Sequence, residues 1–208
     1  FKVMGWGDVG RLRLFSKRRF SGPEEFRTLR PWLYPESQML KEFYKMLGAT
    51  GVPLGIAEVY SGMQTGMIDT FWGTAVIASA LQWHRTAKYI SARGMGFISG
   101  AFAIRRAAWD ALPEAARQSM IELANEERRE NQIDIRRDDE LSFRKLLKRG
   151  YVGIQATPED ADAWWTNGHK LRERMIGRVY TRELVDRVED IALRYADAEQ
   201  RRRFARLR

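Results

Sequence analysis

After Pro113 the chain runs for 34 residues, to Leu147, without a glycine or another proline. Those two residue types are the ones that most readily end or kink a helix. The stretch therefore predicts one continuous helix over 113–147, about 50 Å long. Few folds accommodate such an element; in an α/β protein it bridges two lobes or braces a sheet. Its middle, EERRENQIDIRRDDE at 126–140, interleaves charges of both signs. Glu126–Arg129 and Arg136–Glu140 stand at helical spacing, which reads as a solvated, ion-paired face.

The residues before this helix alternate between short strands and short helices. Phe1–Trp6 and Arg11–Phe15 read as strands separated by a Gly-Asp-Val-Gly turn. Helix starts are signalled where a proline is followed by acids, at Pro23, Pro35, Pro113 and Pro158. Residues 36–48 carry a helical stripe of Leu40, Phe43, Tyr44 and Leu47 ending at Gly48. Val52–Leu54 reads as a strand, Ala57–Thr65 as a helix closed by Gly66, and Met67–Phe71 as a strand. This β-α-β-α-β order argues for a parallel or mixed α/β sheet. Residues 74–84 read as helix, and Lys88–Ile90, Met95–Ile104 and Tyr151–Gln155 as strands. In the last helix, Leu184, Val188, Ile191 and Tyr195 form one stripe expected to pack against a neighbour.

Composition narrows the class. At 208 residues, 44% hydrophobic and with seven tryptophans, the chain can bury a sizeable core. It has no cysteine, which excludes disulfides, thiolate metal sites and cysteine nucleophiles. No apolar run is long enough to span a bilayer. The chain begins at Phe1 without a basic and apolar leader, so it reads as a mature chain or a fragment. The net charge of +9 allows a polyanion partner, with the unbalanced charge in KRR at 17–19 and RRRFARLR at 201–208.

No catalytic or nucleotide motif is present: there is no GxSxG, Walker or GxGxxG pattern, and Gly94-Met95-Gly96 reads as a flexible strand entry. The two histidines, His84 and His169, are not at metal-ligand spacing, and His169 with Glu173 reads as a helix-surface pair. Trp6, Trp32, Trp72 and Trp83 fall at or just after the ends of predicted strands. Ligands bind there in open α/β sheets, so as a group they suggest an aromatic-walled small-molecule pocket.

The order of segments over residues 1–155 resembles the extracytoplasmic solute receptors of TRAP transporters, the DctP type. Pro23-Glu24-Glu25-Phe26-Arg27-Thr28-Leu29-Arg30 stands where that family has PEDLKGLKIRV. Glu58-Val59-Tyr60, Met63-Gln64-Thr65-Gly66 and Ile68-Asp69 match its EVYxALQTGxVDG. Gln82-Trp83-His84 with Lys88-Tyr89 follows in the place of its KFYEVQKY, and Trp109 to Pro113 in the place of a W-x-x-L-P turn before a very long helix. The resemblance implies an α/β, periplasmic-binding-protein-like type II fold, here an incomplete two-lobe architecture with a long bridging helix. It divides the chain into a second lobe over about 12–112, a connecting helix over 113–147, and a C-terminal strand and helices over 148–208. The opening part of the first lobe would be missing, leaving an apolar strand edge near Phe1–Trp6 exposed.

The function implied is the non-catalytic binding of a small organic solute between two lobes, which close by a hinge motion. Delivery to TRAP membrane permease subunits in the periplasm follows. No cofactor, metal or nucleic-acid partner is expected; a basic, helix-rich module binding nucleic acid or another polyanion is the alternative. Residues 58–69 would be a helix running into a strand beside the ligand cleft, their polar groups fixing backbone and packing. The ligand positions carried over are Leu12, Arg13, Trp32, Phe71, Trp72, Gly73 and Thr74. Leu12 and Trp32 stand where the family has ligand-gripping arginines, and Gly73 where it has an amide. Arg11 and Arg13 flank Leu12 and would point to the opposite strand face. The exchange of cations and amide for apolar surface predicts an apolar, aromatic or cationic solute rather than a simple dicarboxylate.

Overall fold

A computed structural model describes residues 1–205, apart from the side chains at 128–132, 199 and 203–205. Most of the basic run at 201–208, and Arg129 of the expected Glu126–Arg129 pair, lie outside the described residues. In chain order the elements are β1 Lys2–Ser16, α1 Pro23–Phe26, β2 Trp32–Leu33, α2 Gln38–Leu47, β3 Val52–Pro53, α3 Val59–Thr65, β4 Thr70–Gly73 and α4 Ala75–Ala80. They continue with β5 Tyr89–Ser91, β6 Gly96–Ile104, α5 Arg106–Asp110, α6 Glu114–Lys148, β7 Val152–Ile154, α7 Pro158–Met175, α8 Arg182–Tyr195 and α9 Ala198–Ala205. They group into two compact units, each assembled from distant segments. One holds Phe1–Phe20 and Ala57–Gln155, the other Ser21–Ile56 and the residues from Ala156 onward.

In the first unit β1 is the organising strand, and it corrects the expected strand-turn-strand. Lys2–Leu12 pairs antiparallel with β6, and Arg13–Ser16 pairs antiparallel with β4, so the two halves are one strand of 15 residues. Gly-Asp-Val-Gly makes a bulge: the register shifts between Asp8 and Gly10, and Gly10 adopts a φ of 114°. The Gly10 N–H donates to Asp8 Oδ1 at 2.8 Å. A bulge twists a strand without ending it. β5 pairs antiparallel with the end of β1 and parallel with β7, so the sheet is mixed. Among the described residues no third strand pairs with Lys2–Leu12, and Phe1, Val3 and Trp6 are exposed there.

The core lies where β1, β4, β5 and β7 meet. Phe15 and Phe71 are wholly buried and stacked at 4.9 Å, and Leu14, Ile68, Ile90 and Leu146 are buried with them. Each such side chain contributes about 1.5–3 kcal/mol. The helix expected over 113–147 is the unbroken α6, which packs along β1. Glycine permits the approach: a Cβ on Gly5 would touch the Ala124 carbonyl oxygen, and one on Gly10 would press on Asp139. The expected Arg136–Glu140 pair is not formed. Arg136 instead pairs with Asp8 on β1, and Glu140 with Arg13 and Arg144. Partners on the sheet outcompete the neighbour one turn away, so this face of α6 is an interface.

In the second unit β2 and β3 pair in parallel, Trp32 opposite Val52. Ser37 and Thr157 cap the N-termini of α2 and α7 with their hydroxyls, and Gly48 ends α2 at a φ of 68°. Trp164 of α7 lies edge-on to Phe26 at 5.7 Å, and its indole donates to the Ser21 carbonyl at 2.9 Å. The stripe on α8 departs from expectation: Leu184, Val188, Ile191 and Tyr195 are exposed, and Val185 is the buried residue. Helical periodicity records that a face is apolar, not that a partner covers it.

Candidate functional site

Two sets of residues compete for attention in this molecule. The first is the set carried over by resemblance. Alternation along β1 puts Leu12 and Leu14 on one face of the strand, Arg11, Arg13 and Phe15 on the other. In the ladder with β4, Arg13 faces Gly73, Leu14 faces Trp72 and Phe15 faces Phe71. The structure thus brings Arg13 beside Gly73, while Leu12 and Trp72 share the opposite face. Thr74 is wholly buried and its hydroxyl caps α4, accepting from Ile77 N–H at 3.2 Å. Phe71 is wholly buried, stacked on Phe15 and edge-on to Trp83 at 5.4 Å. Trp32 belongs to the second unit. It is 8% exposed, and its indole N–H donates to the Leu54 carbonyl at 2.8 Å. Of the four tryptophans read as a pocket, Trp32, Trp72 and Trp83 are buried and Trp6 is exposed along β1.

The second set surrounds a half-open cavity of about 650 Å³ within the first unit, between β1, α6 and the segment 92–97. Its floor is built around two buried charges. Asp139, 2% exposed on α6, accepts the N–H of Arg11 at 3.1 Å, of Ala75 at 2.8 Å and of Val76 at 3.2 Å. One carboxylate thereby answers a β1 donor and two of the unsatisfied donors in the first turn of α4. Arg13 is 1% exposed. It donates to the carbonyls of Ala92 at 2.6 Å and Ser91 at 3.3 Å, and to Glu140 at 3.1 Å. Its guanidinium lies 3.7 Å from the centre of the Phe143 ring. Burial pushes the Arg13 guanidinium below its ordinary value, while Asp139 and Glu140 draw it back up. It stays charged, because a guanidinium does not give up its proton in proteins.

The rim is cationic and exposed. Arg11 and Arg136 approach the Phe97 ring at 5.1 and 4.9 Å, and Arg93 and Gln155 complete the lining. Gly94 makes room for the Arg11 stem, which a Cβ at that position would strike. Sequence reasoning reached Arg11 and Arg13 but missed Arg93, Phe97, Arg136, Phe143 and Gln155. Two signals were available. Arg93 immediately precedes the glycines at 94 and 96, and Arg136 sits in a helix face whose charge had been assigned to solvent.

The histidines stay apart: His84 Nδ1 is 2.9 Å from the Ala78 carbonyl, and His169 contacts Arg172. Glu173 pairs with Arg182 rather than His169. Among the described residues, no group of His, Asp or Glu could hold a metal ion. None of their helices is long and apolar enough to cross a membrane.

Comparison with known proteins places the fold. Residues 1–177 match the model of the family described as bacterial extracellular solute-binding protein, family 7. A "solute-binding protein" of Verminephrobacter eiseniae is 24% identical over 155 residues, covering 74% of this chain and 46% of the relative. A Haemophilus influenzae protein is 26% identical over 157 residues, 47% of its length. The chain thus spans about half the length of the curated relatives it matches. Among solved structures, a TRAP periplasmic solute binding protein from Desulfovibrio salexigens, with bound orotic acid, superposes with a TM-score of 0.83 at 17% identity. It covers 94% of this chain and 63% of its own. The Pseudomonas aeruginosa counterpart with bound L-malate gives 0.73 at 20% identity, covering 83% and 60%. The mixed α/β architecture is therefore that of these receptors, present in part.

Proposed function

The chain belongs to the bacterial extracellular solute-binding proteins of family 7, and from that premise we propose that it serves as the solute-binding component of a TRAP-type secondary transporter. It binds a small organic solute without catalysis, in the periplasm, and hands it to the membrane permease subunits. The observation that carries this reading is the family match over residues 1–177, together with a fold shared with receptors of that kind.

The proposed solute contacts are Leu12, Arg13, Trp32, Phe71, Trp72, Gly73 and Thr74. The charge of this set supports a neutral or cationic solute over a small dicarboxylate. Leu12 and Trp72 are apolar, the Trp32 N–H is already bonded to Leu54, and Arg13 already serves two carbonyls and Glu140. A buried anion at Leu12, Trp32 or Trp72 would meet no cation from that residue to offset its desolvation. A thermal-shift panel of organic acids, neutral aromatics and aromatic amines tests this. The expected result is stabilisation by a neutral or cationic compound, lost in Trp32→Ala. Stabilisation by a small dicarboxylate that survives Trp32→Ala and disappears in Arg13→Ala would contradict the assigned solute class.

A further inference from the structure

We propose that the exposed apolar stripe of α8 is a docking face for an anionic membrane surface, with the helix lying in the plane of the lipid headgroups. Leu184, Val188, Ile191 and Tyr195 recur along α8 at intervals of four, three and four residues, and all are exposed. The helix is held from another side. Val185 is its buried residue, Glu189 pairs with Arg172 of α7 at 2.5 Å, and Arg182 pairs with Glu173 of α7 at 2.5 Å. At about 100° per residue, these three anchors centre roughly 130° round the helix from the stripe. The contacts that attach α8 therefore turn the stripe outward, and none of the proposed solute contacts lies on this helix.

The charge around the stripe selects the occupant. Arg187 and Arg194 stand along its free margin, each within about 90° of its centre. Both are exposed, and among the described residues neither side chain has an acceptor or an ion-pair partner. The exposed acids of α8, Glu183, Asp186 and Asp190, lie farther round, more than about 100° from the centre. Beyond α8 the sequence runs into RRRFARLR, five arginines in eight residues. Apolar side chains bordered by uncommitted guanidiniums match an anionic interface. The stripe enters the headgroup boundary, while the arginines lay their apolar stems beside it and keep their charge at the lipid phosphates. With 14 residues α8 is too short to span the hydrocarbon core, so the contact is with the surface. A second copy of the chain fits less well. The stripe is smaller than the roughly 800 Å² per partner of a stable interface, and antiparallel pairing of two stripes would set Arg187 of each copy near Arg194 of the other.

The test is co-sedimentation of the 208-residue chain with lipid vesicles. The chain should bind vesicles of phosphatidylglycerol and phosphatidylcholine in equal parts, not those of phosphatidylcholine alone, and bind less as salt rises. Arg187→Gln and Arg194→Gln should each weaken binding by about fivefold. Val188→Ser combined with Ile191→Ser changes no charge and lies at exposed positions. It should weaken binding by about tenfold or more, with the melting temperature near the parent value. Because the chain has no cysteine, Tyr195→Cys can carry a single polarity-sensitive dye. Its emission should shift to the blue on mixing with the anionic vesicles, whereas the same dye on Asp186→Cys, across the helix, should not shift. Absence of binding to the anionic vesicles, or equal binding to the neutral ones, would overturn the proposal. Binding that the double serine variant leaves unchanged would belong to the basic C-terminal run alone and would overturn it too. So would self-association of the chain that the same variant abolishes, without vesicle binding, since a second copy would then be the occupant. Failure of the solute panel leaves this face standing.

Discussion

At the scale of single residues, Asp139 ties β1 to the start of α4. It is 2% exposed and accepts three backbone N–H groups, one from β1 and two from the start of α4. Asp139→Ala would leave those donors facing a buried gap, each costing about 1–3 kcal/mol if water cannot reach it. The expected loss is about 3 kcal/mol, read as a drop in the urea midpoint with little change in slope; Asp139→Asn keeps one acceptor and should lose less. Gly94 offers a second case. Gly94→Ala should displace only the exposed Arg11 stem, leaving the melting temperature close to the parent value, which a thermal melt checks. Neither role was legible in the sequence. Asp139 stands in a run of alternating charges, where a buried acid and a solvated one look identical. Arg13 was legible in part: strand alternation assigned its face, but not that its charge is held by Ala92 and Glu140.

At the scale of elements, the uninterrupted run after Pro113 led directly to α6, because helix continuity depends on what is missing from the sequence. The Gly-Pro-Glu-Glu and Thr-Pro-Glu-Asp signals likewise led to α1 and α7. The first strand was misread because Gly-Asp-Val-Gly satisfies a turn and a bulge equally well. The choice is made by pairing with β6, at residues some ninety positions away. The α8 stripe was misread because amphipathicity is local and burial is not. This gives a paired prediction on one helix. Val185→Ala, at a buried site, should destabilise by about 1–2 kcal/mol, whereas Ile191→Ala, at an exposed one, should change stability by less than about 0.5 kcal/mol. Chemical denaturation of the two variants checks it; similar losses at both sites would mean that the stripe is covered.

At the scale of the whole molecule, the fold class and family were legible because the order of the motifs along the chain matches the family's. The proposed solute class rests on a single sequence feature, the absence of arginines at Leu12 and Trp32. The cavity was not legible, since its walls come from β1, α6 and the segment 92–97. Among the described residues, Lys2–Leu12 of β1 pairs with β6 alone. Phe1, Val3 and Trp6 are exposed along it, and an apolar strand edge invites pairing with another chain. Trp6→Lys should lower hydrophobic-dye binding and concentration-dependent association measured by sedimentation. The most direct test of the receptor reading is calorimetry of this chain with its best small-molecule ligand and with duplex DNA, each at about 50 mM and about 200 mM salt, where contacts to several phosphates would lose orders of magnitude in affinity. The account predicts saturable binding of a neutral or cationic small molecule with nearly the same affinity at both salt concentrations, and no comparable binding of DNA. Tight, steeply salt-dependent DNA binding with no small-molecule ligand would contradict it.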